Sequence, residues 1–345
     1  MLLDLRRSID LRRTRAARIA ALTLLMGAGV ALGAEPKEWL ARMNHALTSQ
    51  NYVGVFTHVQ GGRVETLRII HRVRGRDVSE RLVSLDGSGR EFIREGNELI
   101  CYFPDRREVL VERRAPDGLL LGALPAIDED NSSVYEIKGG ERQRLLGRDT
   151  RLVALQPRDQ YRYGYRLWID EKTAMPLKTQ LCNQSGDVIE QIVFSNIDLP
   201  ERISDSQFKP QVDASTYRWF RADRQVADNS AQSDWGATRL PPGFRMAQRS
   251  AQAMPGSSEP VAHLVFTDGV ASVSVFVEPR KPDFKPAEGP SRVGSSSAFS
   301  TVVDGHQVTA VGEVPPTTVE FFAKQVKASK SQQPPASMGL APPRK

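Results

Sequence analysis

Apolar and polar positions alternate with period two over most of this chain. The alternation is cleanest in HLVFTDGVASVSVF, His263 to Phe276. It predicts two short strands around an Asp268-Gly269 turn, with Ala271, Val273 and Val275 on one face and Ser272 and Ser274 on the other. A longer series of such strands precedes it. YVGVFTHVQ (Tyr52 to Gln60) and RVETLRIIHRV (Arg63 to Val73) flank Gly61-Gly62, a two-residue hairpin signal. DVSERLVSL, EFIRE, NELICYF, REVLVERR, TRLVALQP, YRYGYRLWID, PLKTQLCN and DVIEQIVFSNI follow, separated by turn residues. Short strands joined by tight turns pair antiparallel, and an open sheet of about ten strands curls. The first strand places Tyr52, Phe56 and His58 on one face and Val53, Val55 and Val59 on the other. Both faces are largely apolar, so both need a cover.

Helical periodicity is rarer. EPKEWLARMNHALTSQ carries one apolar stripe, Trp39, Leu40, Met43 and Leu47, with Pro36 suited to a first turn. DGLLLGALPAI reads as a short helix between the two groups of strands. Near the end, Pro315-Pro316 stops a strand, Thr317 and Glu320 fit a capping box, and Val319, Phe322, Ala323 and Val326 form a second stripe. The expected organisation is a leader over residues 1–34, a first domain over 35–211, a polar linker over 212–235, a smaller second domain over 236–327 and a disordered tail over 328–345. The fold class is mainly β (α+β).

Charge changes the picture at one end only. The net charge is +6, but six arginines against Asp4 and Asp10 put +4 of it in residues 1–34. The rest holds 41 basic and 39 acidic residues, which leaves no electrostatic footprint for nucleic acid. Ile19 to Leu32 is an apolar run of 14 residues, short of the ~18–20 that span a bilayer. With the arginines before it and small residues after it, the run reads as an export signal cleaved after Gly33 or Ala34, and the alternative is an uncleaved anchor. The mature protein is then expected to be exported and soluble, in an oxidising compartment. There, Cys101 and Cys182 are either bridged, which in the chain-entropy model adds ~4 kcal/mol, or two separately buried thiols.

Candidate chemistry is sparse. No nucleophile elbow, HExxH, P-loop or dinucleotide fingerprint occurs. His58 and His71 on neighbouring strands lack a third metal ligand, and Asp128-Glu129-Asp130-Asn131 lacks the glycine and alternation of a calcium loop. Glu65, Glu91 and Glu95 are the carboxylates any polar strand face offers. No catalytic residue, cofactor or metal is therefore assigned. The aromatics carry more. Tyrosine and arginine share the strand YRYGYRLWID, a pairing suited to anionic amphiphiles, or to a plain cross-strand ladder. An apolar ligand held under the sheet would meet Trp39, Met43, Tyr52, Phe56, Ile69, Phe92, Tyr102 and Trp168. A protein partner would meet Arg218, Trp219 and Phe220 in the linker, with His263, Phe266 and Phe276 of the hairpin.

The hairpin, followed by GHQVTAVGEVPPTTVEFFA, resembles the C-terminal domain of the MucB/RseB family. NYVGVFTHVQGGRVETLRIIHR, SERLVSLDGSGREFIREG, LICYFPDRREVLVE and LWIDEKTAMPLKTQL are similar to that family's first domain, and the resemblance spans roughly residues 35–327. It implies a first domain like LolA and LppX, an unclosed antiparallel barrel with covering helices, and a smaller antiparallel sheet with a terminal helix. It also implies a periplasmic regulator. Such a protein binds the periplasmic part of an anti-sigma factor of the RseA/MucA kind and shields it from a DegS-type site-one protease. Lipopolysaccharide or a related lipid releases it. A homodimer is compatible with this reading. A lipid or lipoprotein carrier of LolA type is the alternative.

Overall fold

The computed structural model describes residues 35–113, 120–121, 133–222, 233–252, 260–280, 288–293 and 296–328. The chain enters through α1 (Pro36–Ser49), whose buried Trp39, Leu40, Met43, Ala46 and Leu47 form the expected stripe. Eleven strands follow: β1 (Tyr52–Gln60), β2 (Arg63–Arg74), β3 (Asp77–Ser84), β4 (Glu91–Glu95), β5 (Glu98–Phe103), β6 (Glu108–Arg113), β7 (Tyr135–Leu145), β8 (Arg148–Pro157), β9 (Gly164–Asp170), β10 (Pro176–Cys182) and β11 (Val188–Asp198). They pair antiparallel in the order β6-β5-β4-β3-β2-β1-β11-β10-β9-β8-β7. Two meanders thus meet where β1 pairs β11. Gly61 and Gly62 make the tight β1–β2 turn at φ 56° and 82°, the left-handed conformations that such a turn needs.

β12 (Arg218–Ala222) adds to the free edge of β6 and is the one parallel strand of the sheet among the described residues. β7 and β12 end the twelve-stranded sheet without meeting, so the barrel is unclosed. The helix α1 packs on β7 and β8, and Arg42 and Gln50 donate to the carbonyls of Glu171 and Thr173.

The second apolar face of β1 and β2 is covered by a segment the sequence reading left irregular. Residues 203–217 run across the sheet as a strap. Ile203 and Phe208 pack on Ile70 and Val53. Arg72 lies over the Phe208 ring and donates to the Ile203 carbonyl and to Asp205. Arg81 holds the Gln207 carbonyl and the buried Glu91, which accepts from the Gln211 amide. Ala214 and Tyr217 then pack on Ile93, Tyr102, Val109 and Val111. The expected linker from 212 is therefore docked through Ala222.

A second sheet of six strands runs β14 (Arg245–Gln252), β15 (Val261–Thr267), β16 (Ser272–Pro279), β19 (His306–Gly312), β18 (Ser296–Val303) and β17 (Gly289–Val293). The helix α2 (Pro316–Gln325) packs on β16, β18 and β19, and β13 (Trp235–Ala237) pairs with β20 (Val326–Ala328) beside it. Phe322 is fully buried at the centre. It stacks on Phe266 at 4.8 Å and meets Phe244 edge-on at 5.3 Å.

Three expectations are corrected here. The hairpin loop is longer than two residues, because Thr267 pairs Ser272 and leaves four between them. No capping box forms at α2: Thr317 and Thr318 turn away to the first sheet, and Glu320 pairs with Lys324 instead. Cys101 and Cys182 are not bridged, because five strands stand between β5 and β10; the reading of two separately buried thiols holds. The short helix expected at 117–127, the Asp128–Asn131 cluster, the leader over 1–34 and the tail from 329 lie outside the described residues, Leu120 and Leu121 excepted.

Phe322→Ala should destabilise the protein by ~3–5 kcal/mol, the usual range for emptying a large buried aromatic site. Denaturant unfolding checks it, and a loss under about 1 kcal/mol would mean that α2 is not seated on the second sheet as described.

Candidate functional site

Two features stand out: a cavity on the α1 side of the large sheet, and the junction through which the second sheet reaches it. The cavity has a volume of about 370 Å³. Its apolar wall is Phe56 and Leu67 from β1 and β2, Leu82 and Phe92 from β3 and β4, Leu181 and Ile192 from β10 and β11, and Leu120 and Leu121. Tyr165 of β9 also lines it. Six inter-strand steps separate β4 from β9, which is about 29 Å in a flat sheet. A cavity of this size touches both only because the sheet curls tightly, as so many strands require.

Phe56 and Phe92 are the expected ligand residues that the structure places here. The other six lie elsewhere. Met43, Tyr52 and Ile69 are fully buried core, and Trp39 is buried in the inner stripe of α1. Tyr102 faces the strap and meets Trp219 edge-on. Trp168 sits on the opposite face, donating to Gln143 beneath the Lys178 ammonium. The arginines of YRYGYRLWID leave the cavity too: Arg162 is buried at the junction, and Arg166 reaches the Gly186 carbonyl.

The polar end of the cavity is built of paired charges. His58 Nε2 lies 2.9 Å from Glu190 Oε1, and Gln60 donates to Glu190 Oε2 at 2.9 Å. Arg90 pairs with Glu65 at 2.5 Å. Glu313, which follows β19 of the second sheet, completes the lining. The hydrogen bond to Glu190 raises the His58 pKa above its usual 6.5 despite partial burial. Burial pushes Glu190 up, but the hydrogen bonds from His58 and Gln60 outweigh it and hold the carboxyl below its usual 4.5.

Further along the same face, a charged triad is fully buried. His71 Nδ1 lies 3.0 Å from Glu80, Arg94 reaches the other Glu80 oxygen at 3.2 Å, and the Leu120 amide donates to that oxygen. Tyr52 stacks flat on His71, and desolvation with the nearby Glu80 charge raises its phenol pKa. His58 and His71 do not share a metal. In the β1–β2 register His58 faces Glu65 while His71 faces Tyr52, and no metal-holding group of three ligands occurs among the described residues.

The junction is dominated by Arg162, which is fully buried in the β8–β9 loop. Its Nη1 lies 3.2 Å from Oδ2 of buried Asp268 in the hairpin loop, a charge contact whose angles miss hydrogen-bond geometry. Its Nη2 donates to the Pro242 carbonyl at 2.6 Å, and its Nε lies 3.2 Å from Asp159. The guanidinium also lies over the Phe244 and Tyr135 rings. Asp268 Oδ1 meanwhile accepts from the Val270 and Ala271 amides and so fixes the hairpin turn. Thr318 and Thr317 donate to the Tyr161 and Gln160 carbonyls, and Tyr161 packs on Phe321. Gly243 (φ 78°) closes the contact; a Cβ there would come within 2.9 Å of Val134.

The expected partner residues divide. Trp219 and Phe220 are exposed on edge strand β12, where Arg218 pairs with Glu108. His263 and Phe276 stack at 4.5 Å on the face of the second sheet away from α2, both half-buried. Phe266 is core, fully buried against Phe322, and cannot touch a partner. Sequence reasoning missed Arg162, Asp268, Glu313 and the two threonines, because each acts across a gap of tens of residues.

The pairing between His58 and Glu190 sets a pH window. A raised histidine pKa stabilises below the unfolded value of about 6.5 and loses that contribution as pH rises through the folded value. The lowered Glu190 contributes above about 4.5. The pair should therefore be strongest between those values. An NMR titration should find the His58 imidazole titrating above 6.5, and Glu190→Gln should bring it down toward 6.5. No difference between the two proteins would mean the pair does not form.

Comparisons with known proteins agree with this architecture. Residues 35–212 match the MucB/RseB N-terminal domain, and residues 229–327 match the MucB/RseB C-terminal domain. The chain is 30% identical to the sigma factor AlgU regulatory protein MucB of Pseudomonas aeruginosa, over 92% of this chain and 99% of the relative. It is 27% identical to the sigma-E factor regulatory protein RseB of Escherichia coli K12, over 85% of this chain and 91% of that one. The structure of the Pseudomonas aeruginosa MucA/MucB complex superposes with a TM-score of 0.67 at 28% identity, covering 86% of this chain and all of the matched one. The chain belongs to the MucB/RseB family.

Proposed function

We propose that this protein is a periplasmic negative regulator of an envelope-stress sigma factor. It binds the periplasmic segment of a membrane-bound anti-sigma factor of the RseA/MucA kind and shields it from a site-one protease. The observation that carries this reading is the likeness of both sheets together to MucB, which a solved structure shows in complex with MucA(peri). It acts by binding and not by turnover. Among the described residues no helix is long and apolar enough to cross a membrane, which fits a protein that meets its partner beside the bilayer.

Partner contact is assigned to the exposed Trp219 and Phe220 with Arg218 on the first sheet, and to the His263–Phe276 stack on the second. A large exposed aromatic beside an open strand edge is the kind of anchor that an extended peptide uses. The cavity is assigned to the acyl chain of a lipid signal, with lipopolysaccharide as one source, and its occupancy loosens the partner. Glu313 joins the cavity to the second sheet, so ligand and partner act on the same body, and their coupling is reciprocal. A carrier of LolA type needs only the first sheet; the buried junction to a second one favours the regulator.

The purified protein should slow site-one cleavage of its anti-sigma segment at least tenfold, and the double variant Trp219→Ala with Phe220→Ala should lose most of that protection. Cleavage at the same rate with and without the protein would overturn the regulatory reading.

A further inference from the structure

β12 ends the large sheet with an edge that no other described strand covers. The Arg218 amide donates to the Arg107 carbonyl, so the backbone of Arg218 turns toward β6. Strand alternation then turns the amides and carbonyls of Trp219 and Arg221 the other way, out of the sheet. The usual protections of an edge are missing here, since Arg218–Ala222 holds no proline, lysine or bulge. The side chains alternate as well. Trp219 and Arg221 stand on the strap face, where Trp219 meets Tyr102, and Arg218 lies over the Phe220 ring on the other face. All four are exposed. Along the strand the order is basic, aromatic, aromatic, basic, which is the same in both directions. Both arginines hold only surface ion pairs, Arg218 with Glu108 at 2.6 Å and Arg221 with Glu98 at 3.9 Å, and pairs of that kind contribute little and are easily shared.

We propose that the partner's segment joins this edge as an added strand, through four consecutive residues that run acidic, apolar, apolar, acidic. This rests on the reading of the protein as a binder of an anti-sigma segment. Side chains directly opposite each other across a strand pair interact, and like charges there repel. A carboxylate opposite each arginine and an apolar side chain opposite each aromatic satisfy all four positions. Because the β12 order is the same in both directions, one sequence pattern serves a parallel or an antiparallel segment. The outward amides and carbonyls of Trp219 and Arg221 supply the main-chain bonds, and the exposed rings supply the anchors. A second copy of this chain is a poor occupant. Two β12 edges laid together in either direction set arginine against arginine at both ends.

The test uses the full protein and three short capped peptides. The first carries glutamate, valine, isoleucine and glutamate at its centre between uncharged polar residues. The second has lysine in place of both glutamates. The third is the first with the amides of valine and isoleucine N-methylated. Affinities are read by fluorescence anisotropy at low salt. The first peptide should bind about tenfold more tightly than the second, in which two opposite-charge pairs become like-charge pairs. It should also bind about tenfold more tightly than the third, which keeps every side chain and loses its main-chain donors. In residue-resolved amide exchange the Trp219 and Arg221 amides should slow about tenfold when the first peptide is bound, while those of Arg218 and Phe220 stay as they were. Arg221→Glu should bring the first two peptides within about threefold of each other, since it cancels the charge of Arg218 on the edge. The peptide and exchange arms need no variant and decide the matter should that protein fold poorly. No binding of the first peptide, or equal affinity for the first and third, overturns the proposal. So do Trp219 and Arg221 amides already protected in the free protein, which would put another part of the chain or a second copy on the edge. A protein that slows cleavage of its anti-sigma segment yet gives one of these results keeps the regulatory reading and loses this one.

Discussion

One buried guanidinium holds this architecture together. Arg162 sits in the first sheet's β8–β9 loop with no exposed surface, and three of the five groups it touches lie beyond its own sheet: Asp268, the Pro242 carbonyl and the Phe244 ring. Burying an arginine is costly, and the cost is offset only when charge and hydrogen bonds are both met. Arg162 finds a charge partner in Asp268 and its hydrogen bond at the Pro242 carbonyl, both beyond its own sheet, so the first sheet's loop depends on the second being docked. Asp268 carries the other half of the constraint. One of its oxygens closes the hairpin turn on the Val270 and Ala271 amides while the other faces Arg162. The best-patterned hairpin in the chain is thus tied to the partner sheet at its tip.

The rest of the junction follows from that anchor. With Arg162 in place, α2 begins directly over the β8–β9 loop, and its two threonines satisfy the Gln160 and Tyr161 carbonyls instead of capping their own helix. The connection just before α2 then delivers Glu313 to the cavity rim beside Glu190 and His58. The cavity in the first sheet and the surface aromatics carried by both sheets thus become parts of one object. The linkage proposed between lipid and partner requires that both guests bias one two-state element, and the junction is the element we propose for it.

Local patterning made most of the strands legible, because a half-buried strand writes its alternation into consecutive residues. Tyr52, Phe56 and His58 against Val53 and Val55 announced two covered faces, and both are covered. The identity of one cover was not legible. The strap presents Ile203, Phe208 and Tyr217 as isolated apolar residues at irregular spacing, a pattern no periodicity detects, and it acts on Arg72 and Arg81 more than a hundred residues earlier. Arg162 was visible as an arginine between tyrosines but not as a buried one, since burial of a charge depends on partners distant in sequence. Thr317 and Glu320 show the same limit from the other side. Their spacing satisfies a local capping rule, and a tertiary contact with Gln160 overrides it. Of the expected ligand residues, Phe56 and Phe92 were placed by strand parity, whereas Tyr102 and Trp168 needed the sheet's curl and the register of the neighbouring strands.

The central claim is that Arg162 fastens the two sheets into a single body. Hydrogen–deuterium exchange of the Arg162→Met protein against the unmodified one tests it most directly. The account predicts that amides at 158–163, 241–244 and 313–319 lose protection together while those of β1–β5 and of β15 and β16 keep theirs. Unchanged protection across all three junction segments would contradict it.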